Sequence, residues 1–294
     1  MEILDGKKVS NQIKKEIAAE VTKMKERGEK VPHLAAIIVG NDGASLTYVG
    51  SKVRSCERVG FESTLVQMPS TTSEQELLKK IKELNEDEHI DGFIVQLPLP
   101  EQIDTQKVIM AVHPDKDVDG FHPTNFGKMA LDMSTFIPAT PFGILELLER
   151  YKVDTKGKHT VVIGRSHIVG RPMSILMGRR GWPGNSTVTL THSHTKNITQ
   201  IISQADIIIS ALGVPKFIKA EMVKDDAVVI DVGITRVPDD SLKKGYYITG
   251  DVDFENVSKK ASFITPVPGG VGPMTIAMLL KNTLLARERH RNRE

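Results

Sequence analysis

Short apolar runs alternate with helix-like segments along most of the chain, and this alternation constrains the fold more than any other feature. The strand-like runs of the first half are Leu34–Val39, Thr64–Val66 and Gly92–Val95. Helical patterns cover Ser45–Val59 and begin again at Ser73, where Glu76 completes a capping-box pattern. A strand, helix, strand order of this kind predicts a parallel sheet covered by helices.

The second half repeats the same alternation. Its strand-like runs are Thr160–Ile163, Thr187–Leu190, Ile207–Ser210 and Val228–Val232. Its helical patterns are Thr140–Tyr151, Val169–Met177, Ile198–Gln204 and Met274–Arg287. The first of these helices should be capped by Thr140, with Pro141 at the first helical position. This series predicts a second parallel sheet, of the dinucleotide-binding type.

The two series predict two α/β domains in the 294 residues. We place an N-terminal α/β catalytic domain at residues 1–139 and a Rossmann-type parallel-sheet nucleotide domain at residues 140–273. The final helix, 274–294, is expected to pack back on the first domain.

Composition narrows the class of protein. A formal net charge of +2 gives no reason to expect a nucleic-acid partner, and no apolar stretch is long enough to span a bilayer. The single cysteine, Cys56, precludes an internal disulfide and fits a reducing compartment. No signal-peptide pattern is present at the start, so we expect a cytoplasmic protein. The one dense basic run is predicted to be a solvated helix end rather than a DNA-binding tail: Arg287, Arg289, Arg291 and Arg293.

A glycine-containing turn, Gly164–Pro172, links a predicted strand to a predicted helix. Such a turn lets the backbone and the helix N-terminus approach a pyrophosphate. The pattern departs from G-x-G-x-x-G because Ser166 stands in place of the second glycine, so a tight turn with no ligand is the alternative. No acidic residue ends the next strand, and Arg165 and Ser193 suit a 2′-phosphate, which favours NADP. A surface salt bridge is the other interpretation of Arg165.

Polar side chains that could take part in catalysis or binding follow the strands of the first sheet. Tyr48 and Lys52 are four residues apart on one helix face, beside the apolar stripe of Leu46, Val49, Val53 and Cys56. Gln96 and the acidic run Asp115–Gly120 follow strand-like segments of the same sheet. Taken alone, the Tyr48 and Lys52 pair also fits a solvated helix face. The acidic run lacks the spacing of a calcium loop, so we predict no metal site.

The segment Thr265–Thr275 is the most unusual stretch, with three prolines and three glycines in eight residues before a helix. Glycine allows close approach to a ligand, and proline restricts the loop. An ordered interdomain hinge is the alternative.

Together these stretches resemble the bifunctional methylenetetrahydrofolate dehydrogenase/methenyltetrahydrofolate cyclohydrolase family. The matching segments are Ser45–Lys52, Gln96–Pro100, Asp117–Gly120, Gly164–Pro172, Gly250–Val252 and Thr265–Thr275. The resemblance implies two α/β domains with a cleft between them and a homodimer formed through the nucleotide domain. It implies oxidation of methylene-tetrahydrofolate with NADP, followed by hydrolysis of the methenyl product.

The resemblance also implies residue roles. Lys52 would be the key catalytic residue, with Tyr48, Gln96 and Asp119 around the folate. Further folate contacts would come from Leu97, Pro98, Pro268, Gly269, Gly270 and Pro273. The cofactor would contact Gly164, Arg165, Ser166, Ile168, Val169, Gly170, Ser193 and Ile234. Asp251 would lie in the same neighbourhood.

One segment departs from common members of that family. Residues 178–186 form a longer stretch that resembles mitochondrial-type relatives, some of which use NAD with phosphate and magnesium. Those relatives carry arginine where this chain has Ser193, so NADP is preferred over NAD, although the following His194 is a weak cation at neutral pH. The alternatives are another two-domain NAD(P)-dependent oxidoreductase with a shikimate-like or amino-acid substrate, and a non-catalytic folate or nucleotide sensor.

Overall fold

The computed structural model describes residues 1–242 and 245–291 and divides the chain into two compact units. We call Asn11–Ala139 with Ile276–Glu294 the three-stranded unit, and Met1–Ser10 with Thr140–Thr275 the six-stranded unit. The predicted basic tail extends beyond the described residues at Arg293.

The elements follow one another in chain order as strands and helices. The strands are β1 (Glu2–Ile3), β2 (His33–Val39), β3 (Glu62–Met68), β4 (Gly92–Val95), β5 (His159–Ile163), β6 (Thr187–Thr191), β7 (Ile207–Ser210), β8 (Val228–Asp231), β9 (Thr235–Pro238), β10 (Tyr246–Thr249) and β11 (Phe263–Ile264). The helices are α1 (Gly6–Glu26), α2 (Gly43–Val59), α3 (Glu74–Glu86), α4 (Thr105–Ala111), α5 (Pro123–Ala130), α6 (Ala139–Arg150), α7 (Gly170–Gly178), α8 (Ile198–Ile202), α9 (Phe254–Val257) and α10 (Val271–Arg291), with a 3₁₀ turn at Ala220–Met222.

The three-stranded unit is built on a parallel sheet in the order β3-β2-β4. The central strand β2 is buried from Leu34 to Val39, as expected for a helix-covered parallel sheet, and β4 is buried as well, with Asp117 bridging to Phe93 on its outer side. The predicted strands are confirmed, and the weak run Thr64–Val66 extends to the whole of β3 because it pairs with β2 along its length. The Ser73 capping box is also confirmed.

Helix α2 begins two residues before the predicted Ser45, because the Asp42 side chain accepts a hydrogen bond from the Ser45 N–H at 2.8 Å. Its buried face differs from the predicted apolar stripe. Val49 and Cys56 are buried, but Leu46 is exposed and Lys52 takes a buried position on this face. The stripe was therefore partly wrong, and the lysine lies inside it.

The six-stranded unit holds a parallel sheet in the order β1-β11-β8-β7-β5-β6. Its core packs against the inner strands and includes Val161, Ile208 and Val229. Strand β1 pairs with β11, which places residues 1–10 in this unit. Two residues of backbone pairing thus tie the N-terminus to the six-stranded sheet, whereas the first domain is predicted to begin at residue 1; the predicted domain bounds stay a prediction.

Several elements lie outside the predicted pattern. Helix α1 has few apolar residues, yet it buries Val9, Ile13, Ile17 and Val21 at helical spacing.

The predicted cap at Thr140 is wrong, since α6 begins one residue earlier and the Thr140 hydroxyl instead contacts the Thr275 hydroxyl at 3.0 Å.

The C-terminal helix α10 does not end as a solvated arm. Arg287 is buried and donates to the Lys30 carbonyl, Arg289 lies over the Phe136 ring at 4.5 Å, and Arg291 pairs with Glu29. The prediction of a solvated helix end is therefore wrong for Arg287, which is buried, whereas Arg289 is half-buried and Arg291 is exposed. Over residues 1–242 and 245–291, none of the helices has both the length and the apolar composition required to cross a membrane.

Asp91 anchors the end of α10 inside the three-stranded unit. Its buried carboxylate accepts hydrogen bonds from the His33 N–H at 2.8 Å, from Lys30 at 3.1 Å and from His290 at 3.4 Å. Burial alone would raise the pKa of Asp91, but the hydrogen bonds from His290 and His33 and the charge of Lys30 lower it below its ordinary value.

We expect Asp91→Asn to lower the free energy of unfolding by about 1–3 kcal/mol at neutral pH, because buried donors lose their charged acceptor. A carboxyl whose pKa is lowered on folding stabilises the folded state above its unfolded pKa, about 3.9. That contribution disappears as the pH falls through the lower folded value. Urea unfolding from pH 7 to pH 3 measures the difference. Glu86→Gln, which breaks an exposed ion pair with Lys82, is the control and should change far less.

Candidate functional site

The carboxyl edge of the three-stranded sheet brings together Tyr48, Lys52 and Gln96. Helix α2 follows β2, and Gln96 follows β4, where its N–H extends the sheet by bonding to the Ile37 carbonyl at 2.9 Å. The Lys52 ammonium donates to Gln96 Oε1 at 3.2 Å and lies 4.6 Å from the centroid of the Tyr48 ring. The structure thus joins three predicted side chains into one contact set.

Lys52 is a buried amine with few charged neighbours. Its residue is only 5% exposed. Burial lowers the pKa of Lys52, and the charge of Asp119 partly opposes that shift. Burial likewise raises the pKa of Asp119, while the charge of Lys52 acts to lower it. An amine and a carboxyl placed in this way can exchange or position protons.

The Gln96 amide has a fixed orientation. Its Nε2 donates to the Leu97 carbonyl at 2.6 Å, so Oε1 is left to face Lys52. Leu97 is half-buried and Pro98 is exposed, and the peptide bond between them is cis. The predicted Gln96–Pro100 run therefore supplies one oriented amide and an exposed edge beside it.

Asp119 sits in a tight turn after the segment that pairs with β4. Gly120 has φ +74°, and a Cβ there would lie 2.7 Å from Pro138 N, so the turn packs directly against backbone. Asp117 is buried and accepts hydrogen bonds from the His122 N–H and the Asn125 side chain, both at 2.8 Å. Burial raises the pKa of Asp117 to about 7. The hydrogen bonds of Asp117 indicate that this residue holds the turn in shape.

A small cavity of about 20 Å³ opens at this turn, which is room for about one water molecule. Its walls are largely apolar, and its lining includes Phe93, Leu97, Val108, Asp119 and Phe121. Asp119 therefore lies beside an apolar wall, in a space too small for a ring system.

In the six-stranded unit, the Gly164–Pro172 turn leaves no room for side chains at its two key glycines. A Cβ on Gly164, where φ is +108°, would lie 2.4 Å from the Ala211 carbonyl oxygen, and a Cβ on Gly170 would lie 1.9 Å from the Gly164 oxygen. The Ser166 hydroxyl accepts from the Val169 N–H at 3.2 Å. The glycines are therefore required by backbone packing, and α7 starts at the carboxyl edge of the sheet.

Basic and hydroxyl side chains follow β5 and β6 at the same edge. Arg165, Ser193 and His194 are exposed, and Ile168 is 43% exposed beside them. Burial, followed by the charges of Arg165 and His194, lowers the pKa of His192, which shows that positive groups crowd this corner. Such a cluster can bind an exposed anion.

The longer 178–186 segment lies at the opposite edge of this sheet. It is tied to the region before β5, since the Gly157 N–H donates to the Asn185 carbonyl at 2.9 Å and Trp182 Nε1 donates to the Val153 carbonyl at 3.1 Å. Ser193 follows the carboxyl end of β6, whereas this segment precedes its amino end. The longer 178–186 segment is therefore separated from Ser193 by the length of strand β6.

The Pro-Gly loop, Thr265–Thr275, lines a cavity of about 150 Å³ with the segment after β8. The lining includes Gly233, the 62%-exposed Ile234, and Pro268, Gly269, Gly270 and Pro273. The loop is held from the N-terminus of the chain: Lys7 N–H donates to the Gly269 carbonyl at 2.9 Å, and Gly6 packs too closely against Gly270 for any side chain.

Two buried carboxylates, Asp231 and Asp251, brace the loops of this edge. Asp251 accepts from the Leu212 N–H at 2.7 Å and the Val214 N–H at 2.9 Å, and Asp231 accepts from the Val252 N–H at 2.9 Å. Burial raises the pKa of Asp231 to about 6. Asp251, expected near the ligands, is fully buried and bonds to backbone, so it supports the loops.

Sequence reasoning missed Gly6, Lys7 and Asp231. Gly6 and Lys7 begin helix α1, for which no pattern was predicted, and Asp231 lies inside a strand-like run, so none of the three carried a local signal. In the described ranges 1–242 and 245–291, His, Cys, Asp and Glu side chains form no group of three or more that could hold a metal ion.

A six-stranded parallel sheet with a glycine turn at its carboxyl edge, joined in one chain to a smaller parallel sheet that carries a buried lysine, defines a two-domain α/β protein of the dinucleotide-binding class. Two family models match the chain. The tetrahydrofolate dehydrogenase/cyclohydrolase catalytic domain matches residues 4–119, and the NAD(P)-binding domain of the same family matches residues 138–291.

Individual relatives agree with the family models. The Bifunctional protein FolD of Flavobacterium psychrophilum is 82% identical, covering 99% of both chains. The solved FolD structure from Campylobacter jejuni is 44% identical with a TM-score of 0.92, covering 98% of this chain and 99% of that one. A Trypanosoma brucei FolD structure, in complex with NADP cofactor and inhibitor, is 38% identical with a TM-score of 0.93, covering 98% and 97%. The chain belongs to the tetrahydrofolate dehydrogenase/cyclohydrolase family.

We expect Gly170→Ala to lower stability by about 1–3 kcal/mol or more, because its methyl group would overlap the Gly164 carbonyl. Gly127→Ala in α5 is the matched control. A Cβ there meets nothing within 4 Å, and alanine favours a helix, so this change should be neutral or stabilising. Scanning calorimetry of both variants measures the difference, and equal melting temperatures for the two would contradict the packing argument.

Proposed function

We propose that this protein oxidises 5,10-methylene-tetrahydrofolate to the 5,10-methenyl form with NADP and then hydrolyses the methenyl form to 10-formyl-tetrahydrofolate. The main support for this proposal is the environment of Lys52. It is a buried amine that donates to Gln96, lies against Tyr48 and interacts electrostatically with Asp119. The family membership and the FolD relatives support both activities.

The three-stranded unit holds the folate in this proposal. Asp119 accepts hydrogen bonds from the amino and ring N–H groups of the pterin, on the side where its charge reaches Lys52. Tyr48 stacks on the ring system of the substrate and limits the movement of Lys52, whose charge already lies over the tyrosine face. Pro98 supplies a further substrate contact through exposed loop surface.

The six-stranded unit holds NADP. The Gly164 and Gly170 turn admits a pyrophosphate close to the backbone, because neither residue leaves a side chain in the way. Val169 and Ile168 follow in the same turn, and Ile234 lies at the rim of the cavity formed with the Pro-Gly loop. Arg165 and Ser193 pair with the 2′-phosphate. When bound, the nicotinamide supplies the hydride acceptor for the first reaction.

Oxidation needs no acid or base from the protein, because a hydride leaves the one-carbon bridge and a methenyl cation remains. The protein contributes positioning and exclusion of water. Hydrolysis is different. Water adds to the cationic bridge carbon, one proton of that water must be removed, and a carbon–nitrogen bond then opens to leave the formyl group on N10.

Lys52 is placed to take that proton as the neutral amine. Burial already lowers its pKa, and a cationic substrate nearby disfavours the ammonium form further. Gln96 holds the amine through Oε1 and keeps it directed at the site. The pair therefore acts as base and orienting amide in the hydrolytic step.

We also propose a cytoplasmic homodimer formed through the six-stranded unit, with no nucleic-acid or membrane partner. Strand β6 stands at the edge of its sheet, and Leu190 on that strand is 37% exposed. An uncovered edge strand with an apolar side chain favours pairing with a second copy. This feature supports the proposal of self-association on this side.

Lys52→Met should reduce the cyclohydrolase rate by about 10²–10⁴-fold, because the base for water is removed. In the wild type, the rate should rise with pH as the ammonium loses its proton, with a midpoint below the ordinary lysine value of about 10.4. The loss of methenyl-tetrahydrofolate, followed by absorbance, measures both. Lys79→Met, the same change at an exposed lysine of the same unit, is the control. A Lys52→Met enzyme that hydrolyses at the wild-type rate would refute this role.

Arg165→Ala should raise the KM for NADP by about 10- to 100-fold and affect NAD much less, because a charged partner of the 2′-phosphate is lost. Initial rates of methenyl-tetrahydrofolate formation with NADP, and with NAD in the presence and absence of magnesium and phosphate, measure the preference. Turnover with NAD alone would retain the family and reverse the cofactor assignment. No turnover with either nucleotide would favour a monofunctional cyclohydrolase or a sensor.

A further inference from the structure

Asn282 is a buried polar residue in the middle of the apolar C-terminal helix α10. It is 1% exposed, and its neighbours Leu279, Leu280 and Ala286 are buried hydrophobic residues. Burying an amide among such side chains is costly unless its hydrogen-bonding groups are satisfied. The contacts of Asn282 therefore indicate what this residue is for.

The Asn282 side chain bridges two backbone segments within the three-stranded unit. Its Nδ2 donates to the Val118 carbonyl at 2.8 Å and to the Ile137 carbonyl at 2.9 Å. These acceptors lie 164 and 145 positions away in the sequence. One amide group thus joins the turn that carries Asp119 to the segment just before α6.

The bridged segments are already in close contact. Gly120 packs against the backbone of residues 136–138, with an added Cβ only 3.0 Å from the Phe136 carbonyl oxygen. On the other side, Arg289 of α10 lies over the Phe136 ring and donates to Ser134 at 3.0 Å. Helix α10, segment 134–138 and the Asp117–Gly120 turn are therefore stacked. Asn282 belongs to α10 and donates hydrogen bonds to both of the other segments.

The remaining side of the turn is fixed by Asp117. Its carboxylate accepts from the Phe121 N–H at 3.2 Å and the His122 N–H at 2.8 Å, and Asn125 donates to it at 2.8 Å. Asp117 therefore holds the chain after Asp119, whereas Asn282 holds the carbonyl immediately before it. No side chain with fewer than two N–H groups could make the Asn282 contacts.

We propose that Asn282 is a positioning residue for folate binding: through its two hydrogen bonds, the C-terminal helix fixes the turn that presents Asp119 to the pterin. This inference rests on the proposed function, in which Asp119 contacts the substrate. Asn282 touches no substrate and acts through Asp119. Its loss leaves two buried carbonyl groups without these donors and lets the turn move.

The experiment compares steady-state kinetics of Asn282→Ala and Asn282→Asp in the full-length enzyme. Both variants lose the two N–H donors, and the aspartate keeps the shape of the side chain. The KM for methenyl-tetrahydrofolate should rise about tenfold, with a smaller change in kcat, because the defect is in binding. The second variant decides the result if the alanine variant does not fold.

Thr283→Val is the matched control on the same helix. Thr283 is fully buried and donates to the Leu279 carbonyl at 2.8 Å, so this change removes a buried hydrogen bond without touching the Asp119 turn. Its KM for folate should match the wild type. An equal rise in KM for Thr283→Val would assign the effect to general loosening of α10 and overturn the proposal.

A double-variant cycle with Asp119→Asn tests whether Asn282 acts through Asp119. Two residues that act through the same contact give non-additive effects when both are replaced. The KM of the double variant should therefore equal that of Asp119→Asn alone. Fully additive effects, or an unchanged KM in folded Asn282 variants, would overturn the inference. A wild-type enzyme without folate turnover would instead defeat the proposed function, so the two failures are distinguishable.

Discussion

Parallel pairing of the strands is the constraint on which the rest of the structure depends. Because all strands of the three-stranded sheet and of the six-stranded sheet run in one direction, every segment that follows one of these strands emerges at the same edge of its sheet. Lys52 and Gln96 come from segments after β2 and β4, and their side chains meet at 3.2 Å. Gly164 and Ser193 share the corresponding edge of the larger sheet. Residues far apart in sequence therefore form two sites with only short loops between strand and site.

Burial then gives these groups their chemical character. Lys52 has a lowered pKa, and Asp119 a raised one, because each is removed from water and partly compensated by the other. Asp231 is buried as well, but backbone N–H groups satisfy it. A buried amine held by side chains, as Lys52 is by Gln96, is available for proton transfer, whereas a buried carboxylate fixed by several backbone donors serves as a brace.

Much of the fold could be predicted from local patterns. The strands β2, β4, β5 and β7 have continuous apolar runs, and the Ser73 box and the Gly164 turn have recognisable sequence signatures. The elements that escaped prediction lack such patterns. Helix α1 carries charged residues beside a narrow apolar stripe, and β1 is two residues long and exists only because β11 pairs with it. Propensity cannot foresee a strand that depends on a partner 261 positions away.

The sequence by itself determined the two parallel α/β units, the glycine positions that the backbone needs and the identity of the reactive side chains, because periodicity and residue chemistry are local properties. Tertiary structure decided that Lys52 is buried, that Asp251 supports loops, and that Arg287 of α10 packs against the chain. It also decided that Asn282 reaches the Asp119 turn from the far end of the chain. Those outcomes depend on which groups become neighbours after folding, and burial and hydrogen-bond satisfaction are settled only by those neighbours.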